Sequence, residues 1–164
     1  MVYKDYLNAA RKHKITCEVI ADNLEKEKKQ NSPNREKVKS LTLNLYYLSG
    51  YIIECMVKYG IYSLIGYGRE DDVKYLDKEG LSYDTHIKHH RFERYTEHLL
   101  KRISGNIPLI NHRKEISKDT VNIYKEWDAE IRYSYELKYD ETHYMKFYEC
   151  AKNIFEIIRN NTKG

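Results

Sequence analysis

Leu45-Tyr-Tyr-Leu-Ser-Gly-Tyr-Ile-Ile-Glu-Cys-Met-Val-Lys58 is the stretch on which the fold turns. Around it Val38, Leu41, Leu45, Leu48, Ile52, Cys55, Met56 and Tyr59 recur at threes and fours, the spacing of one helical face. This predicts a helix over about residues 33–62, with Ser32 as its N-cap and Pro33 at the first helical position. Near the middle the apolar residues run almost all the way round. A helix of that kind is buried on more than one side, as the centre of a bundle, as a dimer face, or as both. Glu54 and Lys58 sit inside the apolar stretch. Each charge would cost roughly 2.5–3.5 kcal/mol at the centre of a bilayer, so the helix reads as buried in protein and no membrane partner is expected.

The flanking sequence repeats the pattern. Tyr6, Ala9, Ala10, His13, Cys17, Ile20 and Leu24 form one face of a helix over residues 3–30. Residues 69–80 are charged and predict a short peripheral helix stopped by Gly80. Phe92, Tyr95, Leu99, Leu100 and Ile103 predict a third long helix over 86–103, and Val121, Tyr124, Trp127, Ala129 and Ile131 a fourth over 118–134. Asp140 caps a last helix over 141–160, with Phe147, Cys150, Ala151, Ile154, Ile157 and Ile158 inward. No strand, repeat or low-complexity segment is evident. The expectation is one all-α domain over residues 1–164, an up-down antiparallel bundle of four to five long helices with a short extra helix.

Composition agrees. The chain has 164 residues, room for one sizeable core, and only seven Gly and two Pro, too few for the turns of a sandwich or barrel. The net charge of +4 permits nucleic-acid binding without requiring it. Cys17, Cys55 and Cys150 are far apart, lie on apolar stripes and include no CxxC pair. They read as core residues, and a cytoplasmic location is expected. The start of the chain has no signal-peptide core.

The central helix, with Thr85 and His90 after it and Trp127 five residues before Arg132-Tyr133, resembles the HEPN family (higher eukaryotes and prokaryotes nucleotide-binding) over roughly residues 40–160. That family is similar in its Tyr-Tyr-x-x-Gly-Tyr-x-x-Glu-Cys-x-x-Lys type of helix, a His at the head of the next long helix, and a Trp…Arg-Tyr near the end. The resemblance implies a helical bundle, commonly dimeric, paired here through the second and last helices. It also implies a metal-independent ribonuclease, or a relative without that activity that binds nucleotide, RNA or a protein partner such as a nucleotidyltransferase. Both occur in prokaryotic toxin–antitoxin and phage-defence systems. Arg132 falls where the family's catalytic arginine is expected, but no His follows it at four to six residues. The next is His143. The favoured expectation is thus a binding component that lacks the standard motif, and a purely structural adaptor is the third.

Several residues carry these readings. Arg132 offers a rigid fork of donors for phosphate, with His143, folded back, or His90 as its acid–base partner in the ribonuclease reading. Glu54 and Lys58 share a helical face and form either a structural ion pair or part of the site, Glu54 orienting Arg132. Tyr51 and Tyr133 are candidate base-stacking residues, although tyrosines more often fill a core with the hydroxyl at its edge. Arg91 and His98 match the Arg-x6-His spacing, but about one such match is expected by chance in this composition. His86 and His90 have a spacing that zinc proteins use, yet no third ligand follows, and no metal or cofactor is expected.

Overall fold

Two long helices form where the periodicity places them: α1 over Lys4–Lys28 and α2 over Arg35–Leu64. The computed structural model describes residues 1–111 and 115–162. Asn34, not Ser32, caps α2, its side chain accepting from the Lys37 N–H at 3.1 Å. The reason is Glu27, which is buried although charged. Its carboxylate accepts the Asn34 N–H at 3.0 Å and pairs with the Lys37 ammonium at 2.6 Å, so the turn is pinned two residues later than Ser32 would place it. The hairpin is antiparallel. Tyr3 and Tyr6 lie on Tyr62, and Cys17 meets Ser49 at 3.9 Å.

The last helix, α5 over Glu141–Asn161, starts as expected at Asp140, whose side chain accepts the Thr142 N–H. Lys28 pairs with Glu141 at 2.9 Å and Lys14 sits over the Phe155 ring, so α5 runs antiparallel to α1. It therefore runs parallel to α2, with Tyr46 against Tyr144 and Phe147. The result is an all-α helical bundle framed by three long helices. In α2, every residue from Ile52 to Lys58 is buried, as expected of a helix covered on more than one side.

The chain between α2 and α5 departs from the expected helices. Residues 69–80 form a single 3-10 turn, Val73–Tyr75, and then the first arm of a small hairpin, β1 (Asp77–Lys78) with β2 (Leu81–Ser82). Gly80 serves that hairpin's turn at φ +73°, beside Glu79 at +51°, rather than stopping a helix. In place of a third long helix over 86–103 there are a π turn at Tyr83–Ile87, a 3-10 turn at Phe92–Arg94, and the short helix α3 over Thr96–Leu100. The fourth helix, α4, spans Lys118–Glu126 and stops eight residues before the expected end, followed by a 3-10 turn at Ala129–Tyr133.

One aromatic cluster accounts for both breaks. Phe92 lies flat between Tyr124 and Trp127, at 4.7 and 4.8 Å between ring centroids. Trp127 turns extended (ψ 127°), which drops its indole onto Gly50, and its N–H donates to the Tyr47 carbonyl at 3.2 Å. Tertiary burial outweighs the helical preference of both segments. The apolar pattern nevertheless marks much of the core: Phe92, Tyr95, Leu99, Ile103, Tyr124 and Trp127 are buried, whereas Leu100, Val121, Ala129 and Ile131 are only partly so.

Gly50 is the contact that admits the indole, because a Cβ there would overlap the Trp127 ring. Gly50→Ala is expected to destabilise the fold by about 1–3 kcal/mol, the usual cost of overpacking. Trp127 is the only tryptophan, so its fluorescence reports the site directly. Urea titration followed by emission should show a lower midpoint and a native spectrum shifted to the red. An unchanged midpoint and spectrum would contradict the packing described.

Candidate functional site

Glu54 is buried in the middle of α2, and one turn later Lys58 is buried with it. Their side chains pair at 2.8 Å. A buried carboxylate needs more than one partner to offset its desolvation. The second is His90, whose Nδ1 lies 3.1 Å from each Glu54 oxygen. A carboxylate can only accept, so Nδ1 carries the proton and donates, leaving Nε2 as the working nitrogen. The His90 side chain is 52% exposed, while the carboxylate that holds it is buried. The hydrogen bond to Glu54, followed by the carboxylate's charge, raises the His90 pKa above its ordinary value. Lys58 is held over the Tyr95 ring at 5.2 Å and the Tyr6 ring at 5.8 Å. The Tyr95 hydroxyl, fully buried in the same cluster, has no hydrogen-bond partner among the described residues.

Tyr51, one turn before Glu54, joins His90 to the rest of the face. Its ring meets His90 edge-on at 6.2 Å, Trp127 at 5.1 Å and Tyr47 at 5.0 Å. Burial, then a hydrogen bond with Tyr47, pushes the Tyr51 hydroxyl well above its ordinary pKa, so it stays protonated. On the other side of Tyr47 stands Arg132, in the 3-10 turn that follows Trp127. Its guanidinium lies over the exposed Tyr133 ring at 4.8 Å, and the neighbouring Tyr133 and Tyr47 hydroxyls raise its pKa above the ordinary value. Arg132 is exposed. The Trp127 turn thus brings Arg132 to the Tyr47 end of this aromatic row, with the exposed Tyr133 ring under its guanidinium.

Of the residues singled out in the sequence, Glu54, Lys58, His90, Tyr51, Arg132 and Tyr133 come to one face. Two relations differ from expectation. Glu54 orients His90, not Arg132. His90 does not head a long helix; it lies in the irregular link between the π turn and Phe92. His143 is placed elsewhere. Its Nδ1 is 3.1 Å from Ser117 Oγ and its Nε2 is 3.4 Å from Asp119, at the start of α4. Arg132 lies beyond the other end of that helix, so the fold does not pair them. His98 packs against His86, and Arg91 approaches Asp128 at 3.8 Å, so that chance match is also not a pair. Among the described residues no group of three or more metal-ligating side chains converges, and no helix is long and apolar enough to cross a membrane.

The arrangement holds an imidazole by a buried carboxylate, leaves its second nitrogen without a partner among the described residues, and sets it on an aromatic face with an exposed guanidinium. It can move a proton next to a bound anion. Sequence reasoning missed His13, whose ring stacks on Tyr51 at 5.5 Å. It reads as one more residue of the first helix's inward stripe, and only the α1–α2 register reveals its neighbour. Comparison with family models, curated proteins and solved structures finds no match for this chain.

The raised His90 pKa makes stability depend on pH. The unfolded value is about 6.5 and the folded value lies above it. The His90–Glu54 contact therefore contributes fully below the unfolded value, and its contribution is lost as pH rises through the folded one. The stability difference between wild type and His90→Ala, from urea midpoints across that range, should shrink as pH rises. A difference that grew with pH would contradict the assigned hydrogen bond.

Proposed function

We propose that the chain is a HEPN-like protein that binds RNA on the face formed by His90, Tyr51, Tyr47, Arg132 and Tyr133, and cleaves it without a metal ion. The observation that carries this reading is the buried Glu54 carboxylate holding a half-exposed His90 by Nδ1. A purely structural histidine has no need of a half-exposed ring at the end of an aromatic row, Tyr51 and then Tyr47, that leads to Arg132. In this reading Arg132 binds the phosphate oxygens and stabilises the charge that builds on them. Tyr133, with its exposed ring, takes a neighbouring base. His90, protonated more readily than an ordinary histidine, gives a proton to the departing oxygen. Glu54 keeps its tautomer and orientation, and Lys58 keeps Glu54 in place.

The family resemblance supports the wider setting: a toxin–antitoxin or phage-defence component that works in the cytoplasm as a homodimer, with a nucleotidyltransferase or another defence protein as a further partner. A second reading is binding of RNA or nucleotide without cleavage. The spacing favours it, since no His follows Arg132 at four to six residues.

The test is incubation with tRNA and total RNA in EDTA, with RNA binding measured alongside. Wild type is expected to cleave. His90→Ala and Arg132→Ala should each lose about 10²-fold or more in rate, the usual share of an acid–base group or a charge-stabilising donor. His90→Ala should still bind RNA, while Arg132→Ala should bind it more weakly. RNA that is bound but intact would replace cleavage by the second reading. RNA neither bound nor cut by folded protein would overturn both.

A further inference from the structure

Tyr51 carries a second imidazole besides His90. His13 comes from the middle of α1, and its ring stacks on Tyr51 at 5.5 Å with 30° between the planes. His90 touches the same tyrosine ring edge-on at 6.2 Å. One helix and one link therefore deliver two histidines to one aromatic side chain of α2, with Arg132 at the adjacent Tyr47. The bland alternative is that His13 only fills the α1–α2 interface. An apolar side chain would do that as well on a stripe that otherwise holds Tyr6, Ala9, Ala10, Cys17, Ile20 and Leu24, buried or partly buried.

We propose that His13 is the second acid–base residue of this face, the base that activates the attacking 2′-hydroxyl of RNA; the inference rests on the ribonuclease reading above. The two imidazoles are biased in opposite directions. Burial, then the neighbouring Lys12 charge, lowers the His13 pKa, and the Glu54 charge only partly opposes this. His90 is raised by Glu54, opposed by burial and Lys58, with Asp128 assisting. At neutral pH His13 is mainly free to accept a proton while His90 retains more of its own, the division of roles an acid–base pair needs.

The step balances. The 2′-oxygen bonds to phosphorus as its proton passes to His13. The bond from phosphorus to the 5′-oxygen breaks as His90 gives that oxygen a proton. The products are a 2′,3′-cyclic phosphate and a 5′-hydroxyl end. His13 finishes protonated and His90 neutral, and exchange with water resets both.

His13→Phe keeps an aromatic ring on Tyr51 and removes the base, and His13→Gln keeps a polar side chain. Cleavage of an unpaired oligoribonucleotide in EDTA is measured against pH for wild type, both His13 variants and His90→Ala. Wild type should give a bell, rising through the His13 titration and falling through that of His90. Both His13 variants should lose about 10²-fold or more, together with the rising limb. A substrate whose 5′-oxygen leaving atom is replaced by sulfur needs no acid. It should restore His90→Ala and leave His13→Phe slow. Cleavage that depends on His90 but is retained in His13→Phe, or a His13→Phe rate restored by the sulfur substrate, would overturn the base assignment alone. Cleavage indifferent to His90 would overturn the ribonuclease reading itself.

Discussion

The Glu54 carboxylate, buried in the middle of the most enclosed helix, sets the terms for everything around it. A charge there must be matched by hydrogen bonds and counter-charge. Lys58 provides one match from the same helix, where the two share a face by spacing alone. His90 provides the other from a distant part of the chain. The link from Ile87 to Phe92 therefore cannot continue as a helix on its own terms; it has to bring an imidazole to α2. Glu54 joins the buried and the exposed parts of this cluster, because the group that satisfies the buried charge is also the group left half in water.

The aromatic cluster does the corresponding work for Arg132. Gly50 leaves room for the Trp127 indole, Phe92 covers that indole, and the chain must leave α4 to make the contact. Asp128 then caps the next turn through the Glu130 N–H, and that turn presents Arg132 and Tyr133. Helix length is given up at two places, and in both the departure carries a residue of the site to Tyr51 or Tyr47. Local preference and global packing disagree there, as is common near functional sites.

How much of this was legible differs by element. The first, second and last helices were readable because their apolar stripes are long and regular, and Asp140 announces its cap. The third and fourth were not. Phe92, Tyr95, Leu99 and Ile103 keep helical spacing, yet a flat stack of Phe92 on Trp127 and Tyr124 decides their backbone, and periodicity carries no information about which rings will meet. Glu54, Lys58, His90 and Arg132 were all marked as residues of interest, but their pairing was not: the i,i+4 bond of Glu54 to Lys58 follows from spacing, whereas its bond to His90 spans 36 residues. His13 was hidden for the same reason. Nothing in the first helix distinguishes a core histidine from one that lies on Tyr51.

The most direct measurement of the central claim is the protonation pattern of the His90 ring, read by nitrogen-15 NMR on labelled protein above its titration. Donation to the Glu54 carboxylate predicts a neutral His90 with the proton on Nδ1 and Nε2 bare. This is the minority tautomer of a free imidazole, and it should revert in Glu54→Gln. A His90 with its proton on Nε2, indistinguishable from an exposed histidine and indifferent to Glu54, would contradict the account.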